Sequence, residues 1–406
     1  MTLPLDVRKD FPVLRNIPSL AYFDSASTCL MPDPAIDAMV HFLRTKAVSS
    51  RRGAHRLAVE GANTVEECRA KIAALSRTEP RLLSFQHSVA LAVASVAYGY
   101  DWKRTGRTKI TVSQTEDHDV VAPLIRAAQV LRLRLETIPL RSDGTLDPDT
   151  ATRMIDKDSG LVAISPVSPG TGDLNPIREL CQKAHEEGCV VISDLTRSMG
   201  FSSFEFQSVG SDIVLCSANS GLLGPPGLAI QWMSDEAGMA IRPGIAGSSA
   251  VSNVEGDSFD FSLPPDMFEP GFVNVPGVAG LSAAIDYISS LGVGQIKHQI
   301  RSISNLMSES LGRIDGLILY GTHHSERTIF SFNVGNQTAD NVNCHDVALL
   351  LDESDIAVRS GFLCAQPLVH TLSADGVVQA SIHVYNSIDD MIRLRTALEA
   401  IAGQLL

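Results

Sequence analysis

Two polar side chains carry most of the acid–base potential of this sequence. His118, within Glu116-Asp-His-Asp-Val120, is the strongest candidate for a general acid or base, because imidazole changes its charge near neutral pH. A lone histidine is often only a structural group, and that alternative stays open for His118. Asp194 directly follows an apolar run and is either a catalytic acid–base group or a strand-end carboxylate without a chemical role. The weaker histidine candidates are His55, His87 and His383.

The elements that must position these residues alternate between short apolar runs and helical patterns. Residues 161–165, 190–193 and 212–216 have the length and apolar content of buried parallel strands. Residues 64–75 and 177–188 carry apolar side chains at helical spacing. Such alternation predicts an α/β architecture with a mostly parallel sheet.

The pattern changes beyond residue 243. Residues 243–277 are rich in Gly, Pro, Ser and Asp, which predicts a long functional loop or a crossing between domains. A helix near 278–291 and strands at 328–334 and 378–384 indicate a second α/β pattern, followed by a last helix from about Ile388. Because 406 residues exceed what one hydrophobic core normally supports, we predict two domains. The large domain is expected over residues 20–255, and the small domain over 1–19 and 256–406.

Composition excludes several kinds of partner. A net charge of −13 would repel nucleic acid and anionic membrane surfaces. No apolar run reaches the roughly 18 residues of a membrane span, and the first ten residues do not resemble a secretory signal. The seven cysteines form no CxxC pair, which favours reduced thiols and indicates no metal site. We therefore expect a cytoplasmic protein.

Several segments, taken in order, resemble the motifs of the cysteine desulfurase and selenocysteine lyase group of aminotransferase class V. Residues 22–28, Tyr-Phe-Asp-Ser-Ala-Ser-Thr, resemble Y-L-D-N-A-A-T, and residues 359–367 match R-x-G-x-x-C-A-x-P. Residues 217–227 match S-G-H-K-G-L-L-G-P-x-G apart from the central pair, and residues 52–55 resemble R-G-x-H. The resemblance implies the fold-type I architecture of pyridoxal phosphate (PLP) enzymes. In that architecture a large domain with a mostly parallel seven-stranded sheet joins a smaller C-terminal α/β domain.

The resemblance also implies roles for individual residues. Asp194 stands where the family places the partner of the pyridine nitrogen, and Ser217 where it places a phosphate ligand. His118 corresponds to the histidine that stacks on the ring, or Asp117 does if the alignment shifts by one residue. Ser248 lies in a segment that resembles the loop reaching the phosphate of a neighbouring subunit, which implies a homodimer with shared sites. An ordinary surface loop is the alternative.

Two further residues resemble the substrate-handling groups of the family. Arg359 matches the arginine that binds the α-carboxylate of the substrate, a task for which a planar guanidinium is well suited. Cys364 matches the loop cysteine that takes sulfur from the substrate, although a free cysteine often packs only as a small apolar group.

The sequence departs from the family at four cofactor contacts. Asn219-Ser220 replaces the His-Lys pair, and Ala90, Pro169 and Arg197 replace a Thr, an Asn and a Gln. No lysine occurs between Lys183 and Lys297. We therefore predict that the protein works without PLP and without any other cofactor or metal. Arg197 is one candidate partner for the Asp194 carboxylate.

The leading hypothesis is a cofactor-independent enzyme that condenses the amine of an amino acid with an aldehyde or keto acid, with cyclisation as a further step. In this hypothesis His118, Asp194 or Cys364 moves protons. The substrate-binding residues are Arg359, Arg197, Asn219, Ser220, Arg52 and His55. The second hypothesis is a PLP-dependent desulfurase or C–S lyase that holds PLP non-covalently. The third is a catalytically silent regulatory partner of an active relative.

Overall fold

The computed structural model describes residues 6–51, 53–201, 204–335 and 342–405, and its two main sheets come from different parts of the chain. The helices are α1 (Pro12–Asn16), α2 (Asp33–Thr45), α3 (Arg56–Ser76), α4 (Val89–Gly99), α5 (Trp102–Thr105), α6 (His118–Leu131), α7 (Pro148–Met154), α8 (Ile177–Glu186), α9 (Asp235–Ala240), α10 (Val275–Leu291), α11 (Val293–Leu311), α12 (Cys344–Asp352), α13 (Gln366–Leu372) and α14 (Ile388–Leu405). Short 3-10 helices cover Arg8–Asp10, Pro80–Leu82, Gln207–Val209 and Asp266–Phe268.

The strands are β1 (Ala21–Tyr22), β2 (Leu83–Gln86), β3 (Lys109–Ser113), β4 (Arg134–Ile138), β5 (Ser159–Ala163), β6 (Val190–Asp194), β7 (Ile213–Ser217), β8 (Ala229–Met233), β9 (Val251–Glu255), β10 (Ser258–Phe261), β11 (Leu317–Tyr320), β12 (Ile329–Val334), β13 (Ile356–Ala357), β14 (Arg359–Gly361) and β15 (Val377–Ser381).

The larger sheet has seven strands in the order β2-β8-β7-β6-β5-β3-β4. The strands from β7 to β4 are parallel, and β8 runs antiparallel to both of its neighbours. This confirms the predicted mostly parallel seven-stranded sheet. The three predicted runs became β5, β6 and β7, with ends shifted by at most two residues. Their apolar residues are continuous because helices cover both faces of the sheet.

Alternate residues of β7 enter two separate cores. Val214 packs in the core that also contains Ile72 of α3 and Leu281 of α10. Leu215, the next residue, packs on the opposite face with Val93 of α4. The period of two along a strand therefore places helices on both sides of the sheet.

The smaller sheet is antiparallel, with the order β11-β12-β15-β14. It contains the predicted strands at 328–334 and 378–384 as β12 and β15. Phe330, Phe332 and Leu394 of α14 pack in its core. Near the N-terminus, Arg8 forms an ion pair with Asp390 of α14 at 3.2 Å. The predicted domain boundaries themselves stay a prediction.

The prediction for residues 243–277 was partly wrong. The segment includes a β-hairpin of β9 and β10 as well as loop, and α10 begins at Val275, where the Asn274 side chain accepts a hydrogen bond from Gly277 N at 3.0 Å. No single helix of the described ranges is long and apolar enough to cross a membrane. The pair α10 and α11 reaches that length only together, and it is bent by 79°.

Candidate active site

The candidate site lies at the edge of the large sheet where the parallel strands end. Strands β3, β5, β6 and β7 finish there at Ser113, Ala163, Asp194 and Ser217. The carboxyl ends of parallel strands are the usual place for ligand sites in α/β proteins, because the loops that follow converge there. A polar residue follows each strand end within two positions, namely Gln114, Ser165, Thr196 and Asn219. The segment after β3 approaches the loop that follows β14.

Asp194 ends β6 with one carboxylate oxygen engaged and the other free. Its Oδ1 accepts hydrogen bonds from Thr196 N at 2.9 Å and Thr196 Oγ1 at 2.5 Å. Its Oδ2 has no partner in the part of the chain that the structure describes. Burial raises the pKa of Asp194 to about 6, although the Thr196 hydroxyl opposes the shift. The carboxylate is therefore largely ionised at neutral pH and has one oxygen available for a ligand.

Glu116 is a buried carboxyl group next to Asp194 that sequence reasoning did not single out. It accepts hydrogen bonds from Ser165 N at 2.7 Å and from the Ser165 hydroxyl, which itself accepts Asp194 N at 3.0 Å. Burial raises the pKa of Glu116 to about 7, and the Asp194 charge adds to the shift. Glu116 lies three positions after the end of β3, a strand that was not predicted, and nothing in the sequence indicated its burial.

The predicted pairing of Arg197 with Asp194 was wrong. Arg197 Nη2 lies 3.0 Å from Asp117 Oδ2, and both side chains are mostly buried. Asp117 is also the N-cap of α6, where its Oδ1 accepts Asp119 N at 3.1 Å. The helix cap orients the carboxylate towards Arg197, while Thr196 occupies the neighbouring oxygen of Asp194. Arg197 therefore bridges the strand end and the start of α6.

His118 is the first residue of α6 and contacts the loop that carries Cys364. Its backbone N–H donates to the Cys364 carbonyl at 2.8 Å, and its Nε2 accepts Gln366 N at 3.3 Å. An Nε2 that accepts a backbone N–H carries no proton, so the neutral tautomer has its proton on Nδ1. His118 thus contacts the backbone on both sides of Ala365, directly after Cys364, and the sequence did not predict this contact.

Arg359 and Cys364 lie side by side. Arg359 Nη2 is 3.0 Å from Cys364 Sγ. Cys364 is exposed, whereas the other six cysteines are buried. Leu363 and Cys364 have φ angles of 57° and 56°, so the loop turns sharply and presents the thiol outward. Arg359 has no carboxylate partner in the described ranges, which leaves most of its donors free.

The turn after β7 holds the residues at the family's lysine position. Ser217 Oγ donates to Asn219 Oδ1 at 2.6 Å, and Asn219 Nδ2 donates to Thr28 Oγ1 at 3.2 Å. Ser220 is only 1% exposed, and its hydroxyl has no partner among the described residues. Beneath this turn His383 Nε2 contacts Gly221 O at 3.3 Å, and burial lowers the pKa of His383 to about 3. His383 is therefore a neutral structural histidine.

The remaining predicted residues are not part of this cluster or cannot be placed. Arg52 lies outside the described residues. His55 is an exposed N-cap of α3, where its Nδ1 accepts Ala58 N at 3.2 Å. His87 and Ser248 are exposed in loops. The reach of Ser248 into a neighbouring subunit stays a prediction.

The residues present fit the non-covalent contacts of PLP. Asp194 offers a free oxygen for the ring nitrogen, and Ser220 offers a buried hydroxyl without a partner. The covalent contact is different, because Ser220 carries no amine. The one buried lysine of the described residues, Lys109, starts β3 at the opposite edge of the sheet and pairs with Asp156 at 2.7 Å. That no lysine of this chain holds PLP stays a prediction.

The fold and the site define an aminotransferase class-V protein. Residues 21–394 match the aminotransferase class-V family, and the chain belongs to it. A protein of Pyrococcus abyssi named "Probable cysteine desulfurase" is 31% identical over 100% of this chain and 99% of its own length. A solved apo structure of a cysteine desulfurase from Thermococcus onnurineus is also 31% identical, with a TM-score of 0.90 over 100% of this chain and 99% of that one.

A more distant structure shares the fold alone. It is a lysine-to-alanine variant of the C–S lyase C-DES with glycine covalently linked to its PLP cofactor. It is 18% identical, with a TM-score of 0.82 over 97% of this chain and 98% of that one.

These comparisons correct three predictions. The cofactor-independent condensing enzyme is wrong, because the full-length relatives are cysteine desulfurases. The class of enzyme predicted with it, a condensing enzyme or cyclase, is wrong for the same reason. The prediction of no cofactor was made together with the cofactor-independent enzyme, and the same full-length relatives contradict it. The alignment-based departures at Ala90, Pro169, Arg197 and Asn219-Ser220 stay predictions, and they do not exclude PLP.

Proposed function

We propose that this protein is a PLP-dependent C–S bond-cleaving enzyme of the cysteine desulfurase type that holds PLP without a lysine of its own. The observation that carries the proposal is the juxtaposition of Arg359 and Cys364, 3.0 Å apart, beside His118 at the carboxyl edge of the sheet. A carboxylate-binding cation next to an exposed thiol matches the needs of an enzyme that binds cysteine and removes its sulfur. When bound, PLP supplies the electron sink for cleavage of bonds at the amino-acid substrate.

Each protein group has a defined task in this proposal. Arg359 binds the α-carboxylate through its free N–H donors. Cys364 Sγ, on an exposed turn beside Arg359, is placed to accept the substrate sulfur. Asp194 Oδ2 would accept a hydrogen bond from the protonated ring nitrogen of PLP, and Ser217 and Ser220 would offer hydroxyls to the rest of the cofactor. His118 keeps the Cys364 loop against α6.

The proposal includes a lysine-free pocket. Ser220 stands at the family's lysine position, and Lys183 and Lys297 bound a segment with no lysine. On this fold, a lysine-to-alanine variant of C-DES carries glycine linked to PLP, which supports amino-acid-dependent retention of the cofactor. We therefore propose that cysteine and PLP are retained together, and that PLP alone is held more weakly.

Assembly and location are also proposals. The segment around Ser248 resembles a loop that reaches a neighbouring subunit, which supports a homodimer. The seven cysteines are unpaired in the structure, which supports a reducing compartment such as the cytoplasm.

The test is a titration of the purified protein with PLP, followed by near-visible absorbance, with and without cysteine. We expect a saturable protein-bound band that strengthens with cysteine, together with release of alanine and, when dithiothreitol is added to reduce the persulfide on Cys364, release of sulfide. Asp194→Asn should weaken PLP binding by at least about tenfold, because a neutral amide replaces a charged partner. The matched control is Asp212→Asn, at the opposite edge of the sheet, where Asp212 accepts Val191 N at 2.7 Å. A protein that neither binds PLP nor releases sulfide would overturn the proposal.

A further inference from the structure

A second cavity lies at the sheet edge opposite to the candidate site. Its volume is about 340 Å³, and it includes Leu83 at the start of β2 and Met233 at the end of β8. Met233 pairs with Ile213, the first residue of β7, whereas the candidate site lies beyond the last residue of that strand. The two sites therefore lie at opposite ends of the strands, and this cavity has no part in the proposed cleavage reaction.

The walls of the cavity are mainly apolar. Leu83, Met233 and Phe268 are buried in them, while Met239 and Leu263 at the mouth are 73% and 83% exposed. Cavities of this size, with apolar walls and few polar groups, are typical of small-molecule sites. Two largely exposed apolar side chains at the mouth also provide surface that a bound molecule would cover.

One polar group in the lining lacks a partner. Gln231 of β8 is 2% exposed, and its Nε2 forms no hydrogen bond with any described residue. Gln86, on the neighbouring strand β2, has its Nε2 satisfied by the Phe268 carbonyl. A buried amide without a partner is unfavourable, because it has lost its bonds to water. A ligand with a hydrogen-bond acceptor would satisfy it.

The charges at the mouth disfavour an anion. Arg81 contacts both carboxylate oxygens of Asp235, and its Nε lies 2.8 Å from Glu79 Oε2. Two carboxylates around one guanidinium leave no positive charge for an acidic ligand. A neutral ligand meets no such penalty.

We propose that this cavity binds a neutral, mainly apolar small molecule that carries a carbonyl group, with the carbonyl accepting from Gln231 Nε2. The inference is independent of the proposed function, because it rests on a different edge of the sheet. A medium-chain primary amide has the required features, and the matching carboxylate differs from it only in charge at the polar end.

The test is calorimetric titration of the full chain with octanamide and, separately, with octanoate. We expect saturable binding of octanamide at one site and at least about tenfold weaker binding of octanoate, since a charge must leave water to enter an apolar cavity. Non-saturable or equal binding of the two would contradict the proposal.

A space-filling variant assigns the binding to this cavity. A Cβ at Gly238 of α9 would meet only Met233 Sδ, at 4.0 Å, so a side chain can begin there without a clash, and Gly238→Leu replaces a helical glycine with a better helix former. It should reduce octanamide binding at least about tenfold by occupying the cavity. The matched control is Gly403→Leu on α14, where nothing lies within 4 Å. Unchanged binding in a folded Gly238→Leu protein would overturn the proposal.

A second variant tests the polar contact. Gln231→Leu removes an amide that has an unpartnered donor, so the protein should remain folded, but octanamide should bind several times more weakly. If Gln231→Leu binds octanamide as tightly as the wild type, the role of Gln231 is refuted.

Discussion

Arg359 Nη2 lies 3.0 Å from Cys364 Sγ, and the sulfur is the nearest group that the guanidinium contacts in the described structure. An arginine in such a site would normally be expected beside a carboxylate. Here β14 and the turn after it bring a thiol to that position instead. The remaining N–H donors of Arg359 are therefore available to a substrate that approaches Cys364.

Arg359→Gln should raise the KM for cysteine more than it lowers kcat. The variant removes a charge-assisted hydrogen-bonding partner of the substrate carboxylate, a loss of about 1.5–3 kcal/mol or roughly ten- to hundredfold in binding. Steady-state release of alanine measures both constants. Arg395→Gln, on the exposed face of α14, is the matched control. Equal KM values for Arg359→Gln and the wild type would show that the arginine binds no carboxylate.

Replacement of His118 should change the reactivity of Cys364 without removing a catalytic group. His118→Leu loses the Nε2 acceptor of Gln366 N, whereas His118→Gln retains an acceptor on its side chain. Since one hydrogen bond contributes about 1 kcal/mol, we expect Cys364 in the leucine variant to react about fivefold faster with iodoacetamide. The glutamine variant should react at nearly the wild-type rate.

Intact-mass spectrometry of the native protein measures this reaction. It should show one rapidly modified thiol, because the other six cysteines are buried. His185→Leu, at the opposite edge of the sheet, is the control. Equal rates in the leucine, glutamine and wild-type proteins would exclude the proposed restraint of the loop.

Glu116 should make the protein less stable as pH rises. Its folded-state pKa, about 7, exceeds the ordinary value of 4.5, so the folded state binds more protons than the unfolded state between these values. The free energy of unfolding therefore falls as pH rises from about 4.5 to 7, by up to about 3 kcal/mol from this group. Glu116→Gln should remove that loss.

Denaturant titrations at about pH 4.5, 6 and 8 measure the effect. These pH values lie at the lower end of the window, within it and above it. We expect Glu116→Gln to exceed the wild type in stability at the highest pH and to match it most closely at the lowest. The control is Glu67→Gln, an exposed residue of α3, which should not change the slope. If the free energy of unfolding of Glu116→Gln falls with pH as steeply as that of the wild type, the pH dependence belongs to other groups.

Ser220→Lys should create a covalent bond to PLP. The position lies in the turn after β7 and matches the lysine of the family motif, so a primary amine there should react with the aldehyde of PLP. Borohydride reduction followed by intact-mass measurement detects one added cofactor. Asn219→Lys, the neighbouring position, is the control and should give no such adduct. A folded Ser220→Lys protein without an adduct would show that position 220 does not face the cofactor site.

Local patterns were sufficient to predict the main elements of the large sheet. The runs at 161–165, 190–193 and 212–216 became β5, β6 and β7, since continuous apolar residues of that length are stable only when both faces are covered. The hairpin within 243–277 was missed, because β9 and β10 are largely exposed and the polar–apolar alternation of β10 covers only four residues. Turn-rich composition describes such a hairpin and a loop equally well.

The candidate site was predicted in its members but not in its contacts. Asp194, His118, Arg359 and Cys364 lie together, as their places in the motifs indicated. Arg197 lies three residues after Asp194, yet it pairs with Asp117, which is distant in sequence and is oriented by the start of α6. Glu116 was overlooked because burial, which raises its pKa, depends on the helices packed around it.

Residue types and motifs were sufficient to predict the family and the chemical groups available, including the thiol at Cys364 and the absence of a lysine between Lys183 and Lys297. These follow from residue types and their spacing along the chain. Only the folded structure shows which groups are in contact: His118 with the Cys364 loop, Arg197 with Asp117, and Glu116 with Ser165. These contacts join segments that the packing of the fold brings together at the ends of the strands. The separation of two residues along the chain gives no information about the distance between them in the fold.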